Sequence, residues 1–312
     1  MRGDRAVTIG VAGDLVEDVI VWTSGPIAYG TDTPSRIFHV RGGSAANVAH
    51  AVAAQGGSSR LITRVGADGV GDRLVSDLEA SGVEVRAQRG EKSDTIVILI
   101  DDTGERTMMP DRSTAKAIET VDPAWLDGLA WLHLPLYGFE TDGESRVFTE
   151  LCRAASERGI PLSIDVSSVG LIEMIGVERV NELLEVLRPR IVFANQGEAA
   201  AIGLANRQPP AGSAWVLKHG KDPVVIRSGS GSGIATLEIP VPPVEGVSDT
   251  TGAGDHFAAG FLRGLVAGQG HGPEEQVAAA EVGIASERLV AAAEIGIASA
   301  ARVLHSPGAH TA

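Results

Sequence analysis

The chain has 312 residues, 44% hydrophobic but only 4% aromatic, with a formal net charge of −14 at pH 7. That length suits one large α/β domain or two small ones with a core of Val, Leu, Ile and Ala, and the acidic balance argues against nucleic acid or an anionic membrane as the main partner. Cys152 is the only cysteine, which excludes an intrachain disulfide; no run reaches membrane-span length and residues 1–5 carry no secretory apolar segment, so the cytoplasm is the expected location.

Residues 7–12 read as a buried strand that ends at Gly13-Asp14. Residues 15–22 continue it with Asp18 in apolar surroundings, where a carboxylate serves as a turn or cap residue or meets a ligand. Gly10 and Gly13 do not compose a dinucleotide fingerprint, so a Rossmann dehydrogenase gains little support. Residues 34–40 alternate loosely, as an exposed strand does. Arg41-Gly42-Gly43-Ser44-Ala45-Ala46-Asn47 follows. Its paired glycines either let backbone approach a ligand closely or simply make a turn before a small-residue helix over 44–54 with Asn47 in its first turns. A strand over 61–66 and a helix over 71–81, with Leu74, Val75 and Leu78 on one face, come next. Strands over 95–101 and 105–109, joined by Asp102-Thr103-Gly104, predict an antiparallel hairpin that forms a small separate sheet with 34–40 and is placed to act as a lid. Arg106 projects from that sheet, as a solvated surface residue or toward a substrate.

From residue 122 the chain alternates regularly. Strands over 129–134, 161–165, 191–195, 215–218, 224–227 and 234–239, with helices over 144–158, 178–187 and after 196–198, predict a mainly parallel sheet flanked by helices. Ligands of such sheets sit at the carboxyl ends of the strands, where Asp165, Asn195, Glu198 and Lys218 fall. Asp249-Thr250-Thr251-Gly252-Ala253-Gly254-Asp255 then runs into an apolar helix. Its glycines expose backbone N–H groups at a helix N-terminus, an anion cradle, and Asp255 either caps that helix or takes a proton from an attacking hydroxyl. Residues 278–286 reappear at 291–299, 13 positions on, and read as helices packing on the sheet.

Gly42-Gly43-Ser44-Ala45-Ala46-Asn47-Val48-Ala49 and Asp249-Thr250-Thr251-Gly252-Ala253-Gly254-Asp255 together resemble the two signatures of the PfkB (ribokinase-like) family of sugar and nucleoside kinases. The similarity runs from Gly13 to Pro307-Gly308-Ala309. It implies a doubly wound α/β domain over 1–312, with a small β lid inserted from about 15–41 and 95–110, ATP as phosphoryl donor and Mg²⁺ as cofactor. By that resemblance Asp255 is the base toward a sugar hydroxyl, and the amides of Gly252, Ala253 and Gly254 form the anion hole. Asn195 and Glu198 match an Asn-x-x-Glu element serving the Mg²⁺–phosphate region, Glu198 through water. Lys218 and Gly220 match the nucleotide side. Asp249 and Thr251 match positions tied to a monovalent cation, K⁺, in activated members. Asp18, Gly42, Gly43 and Asn47 match residues that bind acceptor hydroxyls, with Arg106 counted beside them.

Ser44-Ala45 stands where ribokinases proper carry Lys-Gly, nearer the fructokinase-like form. Ser167-Ser168-Val169 leaves no arginine after Asp165, so an acidic sugar would need Arg106 or Arg112 instead. His256 is either a hydrogen-bonding group behind the site or a helix N-terminal residue. The expected activity is an ATP-dependent sugar kinase. A nucleoside kinase would need a shelf from Tyr29, Phe38 and Tyr137, and a non-catalytic nucleotide or sugar binder would be expected to lose the base or the glycines. An open lid edge can pair across a two-fold axis into a homodimer.

Overall fold

The computed structural model describes residues 7–101, 105–111, 120, 122–231, 233–247, 249–267 and 284–305. In chain order the strands are β1 (Thr8–Ala12), β2 (Val16–Thr23), β3 (Ser35–Gly42), β4 (Ser58–Gly66), β5 (Val83–Gly90), β6 (Thr95–Ile100), β7 (Arg106–Asp111), β8 (Leu129–Pro135), β9 (Leu162–Asp165), β10 (Ile191–Asn195), β11 (Ala214–His219), β12 (Asp222–Ser230) and β13 (Gly233–Ile239). The helices are α1 (Ser44–Ala54), α2 (Gly69–Ala80), α3 (Asp142–Glu157), α4 (Val169–Ile175), α5 (Val177–Leu187), α6 (Gln196–Ala201), α7 (Ala253–Val266) and α8 (Ser286–Val303).

Nine strands make one sheet in the order β13-β12-β11-β10-β9-β8-β1-β4-β5. The seven from β11 to β5 pair in parallel, and β12 and β13 close one edge antiparallel. Central strands such as β8 are buried along their whole length, which is why they read as unbroken apolar runs. One apolar cluster joins the sheet to α1, α2, α7 and α8, and a second joins the opposite face to α3, α4 and α5. Helices thus cover both faces, as the alternation predicted. Strand order reverses between β1 and β8, so a crevice opens at their carboxyl ends.

The small sheet has the order β3-β2-β6-β7, with β2 running parallel to β6 between two antiparallel edges. The turn 102–104 lies outside the described residues, as do Arg112, residues 307–309 and the repeat copy over 278–283. The pattern missed β5, because Glu84, Arg86 and Arg89 interrupt it; β5 is an edge strand whose charges face water and neighbours rather than a core. It also missed α4, a single short segment capped by Ser168. Among the described residues no helix is long and apolar enough to cross a membrane.

The second repeat copy, 291–299, lies in α8, which packs chiefly on α7 and also meets the sheet at β13. A Cβ on Gly260 of α7 would stand 2.7 Å from the Ile295 carbonyl oxygen, and one on Gly296 of α8 would stand 2.9 Å from that of Phe257. Small residues therefore let the two backbones touch and seat α7, which carries Asp255, at a fixed depth. Gly260→Ala is expected to cost about 1–3 kcal/mol in urea unfolding through overpacking, whereas Gly231→Ala, with open space around its Cβ, should stay within about 0.5 kcal/mol of the parent.

Candidate active site

Three chain segments meet where β1 leaves the sheet. The Asp14 carboxylate accepts a hydrogen bond from Ala45 N–H (3.1 Å), and its carbonyl accepts one from Ala46 N–H (3.2 Å), pinning the N-terminus of α1 to the end of β1. The connection from β3 into α1 is Gly42-Gly43, with Gly43 at φ 99°. A Cβ on Gly43 would lie 2.5 Å from the Asp14 carbonyl oxygen, and one on Gly42 would collide with the Asp18 carboxylate. The paired glycines thus serve close approach as well as turning.

Opposite α1, Gly252 in the left-handed region (φ 74°, ψ −2°) starts α7 and delivers Asp255 in the first turn. Ser44 Oγ donates to Asp255 Oδ1 (2.6 Å) and Asn47 Nδ2 donates to Oδ2 (2.9 Å). The two glycine-rich stretches, some two hundred positions apart, therefore share one cleft. Desolvation in that cleft pushes the Asp255 carboxyl up to about 7, with Asp165 and Asp14 adding to the rise and the bonds from Ser44 and Asn47 opposing it. Asp18 is raised to about 7 as well, by burial and then by Asp14, with Arg41 opposing. Its Oδ1 is buried without a hydrogen-bond partner among the described residues.

Of the three amides expected to form the anion hole, that of Ala253 turns back onto the Thr250 carbonyl (3.2 Å). Gly254 and Asp255 lie in the first turn of α7, where backbone N–H groups are not paired within the helix. Lys218, at the end of β11, sits against this loop: its Nζ would lie 3.3 Å from a Cβ on Gly254. The same Nζ donates to Asp165 Oδ2 (2.6 Å) and stands 5.9 Å from the Phe193 ring centre. Burial opposes its charge, but Asp165, Glu198 and Asp255 outweigh that and hold the ammonium above the usual lysine range.

Asn195 and Glu198 form a capping box at the start of α6. Both carboxylate oxygens of Glu198 accept from Asn195, at 2.7 Å from its backbone N–H and 2.6 Å from its side-chain amide. Glu198 is buried, and desolvation with Asp165 nearby raises its pKa. Gly220 is an exposed turn residue between β11 and β12 with φ 65°. Asp249 is buried, with one oxygen accepting from Thr251 N–H (2.8 Å) and the other paired with Arg106. Arg106 also bonds Thr251 Oγ1, so this side chain of the small sheet reaches across to the turn before α7 instead of pointing to water.

His256 lies in the first turn of α7, one position after Asp255, and is buried. Tyr29 is 93% exposed and Phe38 45%, so no aromatic shelf assembles from them. Sequence reasoning passed over Asp14, Arg41 and Ser44 as site residues; each adjoins a glycine already singled out, which was the available signal.

A twisted parallel sheet with a carboxylate, an ammonium and helix N-terminal amides converging at its switch point is the arrangement of a phosphotransferase. The family model described as pfkB family carbohydrate kinase matches residues 9–312. An ATP-dependent ribose-1-phosphate kinase of Halopiger xanaduensis is 32% identical over 231 residues, covering 71% of this chain and 72% of that protein. A fructokinase of Escherichia coli is 28% identical over 274 residues, covering 82% and 83% respectively. Among solved structures, the fructokinase with bound ATP from Xylella fastidiosa superposes with a TM-score of 0.79 at 21% identity, covering 97% of this chain and 93% of that one. The chain belongs to the pfkB family of carbohydrate kinases.

Two carboxyls lifted to about 7 should lose their protons together as pH rises through neutrality. Infrared difference spectra between pH 5.5 and 8.5 are expected to show loss of a protonated-carboxyl band. About half of that band should vanish in Asp255→Asn and the other half in Asp18→Asn, since each shift is some three units above an ordinary aspartate.

Proposed function

We propose that this carbohydrate kinase transfers the γ-phosphoryl group of ATP to a hydroxyl of a small ribose- or fructose-type sugar held between α1 and α7, with Asp255 as the general base. The observation that carries the reading is the Asp255 carboxylate fixed by Ser44 and Asn47 at the mouth of an amide-bearing helix N-terminus. The names of the Halopiger, Escherichia and Xylella proteins support ATP as donor and a sugar as acceptor.

In this reading the acceptor hydroxyl gives its proton to Asp255 as its oxygen attacks the γ-phosphorus, and the bond to the β-phosphate oxygen breaks to release ADP. Negative charge on the transferring group meets the first-turn amides of α7 and the Lys218 ammonium, both already oriented. Asp18, Gly42, Gly43 and Asn47 shape the acceptor side; Asn195, Lys218, Gly220 and Thr251 border the nucleotide. The small sheet acts as a lid, with Arg106 as its contact to Asp249 and Thr251.

Magnesium would enter with the triphosphate rather than occupy a cage of its own. Among the described residues no group of three or more His, Cys, Asp or Glu side chains is placed to hold a metal, and Glu198 is buried in its capping box. A potassium ion at Asp249 would have to compete with Arg106 for that carboxylate. Exposed Ile37, Phe38, Met108 and Met109 on the lid edges support a homodimer through this sheet.

Asp255→Asn is expected to lower kcat by roughly 10²–10⁴-fold while ATP affinity, measured by calorimetry, stays within about threefold. Turnover near the parent level would remove Asp255 as the base. For the parent enzyme, ionised Asp255 is the active form, so kcat/KM for the sugar should fall about tenfold per unit below a limb near pH 7. Arg106→Ala should raise acceptor-independent ATP hydrolysis relative to sugar phosphorylation, because the lid loses its anchor on the phosphate loop. A coupled ADP-release assay reads both rates.

A further inference from the structure

Arg41 is the penultimate residue of β3 and is buried, although it directly precedes the glycine pair at the mouth of the cleft. Its Nη1 donates to Asn47 Oδ1 at 2.9 Å. Asn47, itself buried, donates from Nδ2 to Asp255 Oδ2 at 2.9 Å. The direction of this chain is fixed by chemistry. A guanidinium only donates and a carboxylate only accepts, so the Asn47 amide satisfies both neighbours in one orientation alone, oxygen toward Arg41 and nitrogen toward Asp255.

We infer that Arg41 is a positioning residue for phosphoryl transfer: acting through Asn47, it locks the orientation of the Asp255 carboxylate and helps to keep it ionised. The inference rests on Asp255 being the base. Three further observations support it. Glu17, in register with Arg41 across β2 and β3, is taken up by His39 (3.1 Å) and Arg73. The second terminal nitrogen of Arg41, Nη2, is buried without a hydrogen-bond partner among the described residues, a cost that a purely structural arginine has no reason to carry. And the charges that sustain the Arg41 cation against burial are, in order, those of Asp255, Asp18 and Asp77, so the guanidinium and the base feel each other.

Asp255 is also faced by Asp14 from the end of β1 and Asp165 from β9, which disfavour its charge, and by Lys218 from β11, which favours it. Removing Arg41 therefore takes away one of two cations opposing two carboxylates, and the base should become harder to ionise.

The experiment compares pH profiles of sugar kcat/KM for the parent, Arg41→Met, Arg41→Lys, Asn47→Ala, the Arg41→Met/Asn47→Ala double variant and Asp255→Asn. For Arg41→Met we expect the acidic limb to move up by about one pH unit and kcat at pH 7 to fall about tenfold, with the KM for ATP unchanged. Arg41→Lys, which keeps the charge but not the planar fork, should restore the position of the limb and recover kcat only in part. In the double variant the kcat losses should be less than multiplicative, because Arg41 acts through Asn47. An acidic limb that stays in place in Arg41→Met, with multiplicative losses in the double variant, would overturn the inference. If Arg41→Met does not fold, a limb displaced in Arg41→Lys as far as in Asn47→Ala overturns it equally. Failure of the base assignment is separately visible: Asp255→Asn would then retain turnover, whereas failure of the relay leaves Asp255→Asn inactive.

Discussion

The structure depends on a carboxylate that is both desolvated and held. Asp255 sits where burial would neutralise it, and the two donors that reach it, Ser44 Oγ and Asn47 Nδ2, come from another helix on the far side of the sequence. Burial and hydrogen bonding pull its proton affinity in opposite directions, and their balance leaves a group poised near neutrality. For the proposed role as base this balance matters: a carboxylate too weakly held would be protonated under most conditions, and one left in water would be too weak to take a proton from an alcohol.

That balance requires α1 and α7 to meet at hydrogen-bonding distance, and glycine and alanine make this possible on several sides at once. Gly42 and Gly43 bring the start of α1 against Asp14 and Asp18, while Gly260 and Gly296 seat α7 on α8. Behind them Phe193, Phe257 and Phe261 pack edge-on and stacked, with ring centres 5.3–6.2 Å apart, as a stiff floor beneath the first turn of α7. Phe257 and Phe261 belong to α7 itself, and Phe193 meets them from β10.

Much of this was legible in the sequence, and the reasons are physical. Buried parallel strands such as 129–134 announce themselves as apolar runs, and two glycine-rich turns before small-residue helices mark where backbone must come close. The convergence of Asp165, Lys218 and the 252–255 loop followed from βα alternation alone. Tertiary partnership was less legible. Arg106 carries no local sign that it will pair with Asp249, and nothing in Asn-x-x-Glu says that Glu198 spends both oxygens on Asn195. Arg41 reads only as the residue before the glycine pair, after the strand predicted over 34–40; in the structure it lies in β3 and is buried. The turn of the Ala253 amide back to Thr250 is likewise a local choice that glycine makes available without dictating.

The attachment of the small sheet has a mechanical consequence. β2 begins just after Asp14 and carries Asp18, and β3 runs through Arg41 directly into Gly42-Gly43 and α1, with no slack chain at either junction. A rocking motion of that sheet would act directly on these two of its junctions, which border the proposed site. Swinging it outward would draw the Arg41 guanidinium from the Asn47 amide, and with it the partner of Asp255. Under the proposed function, opening and disarming would then be one movement, a built-in interlock between access to the site and readiness to react.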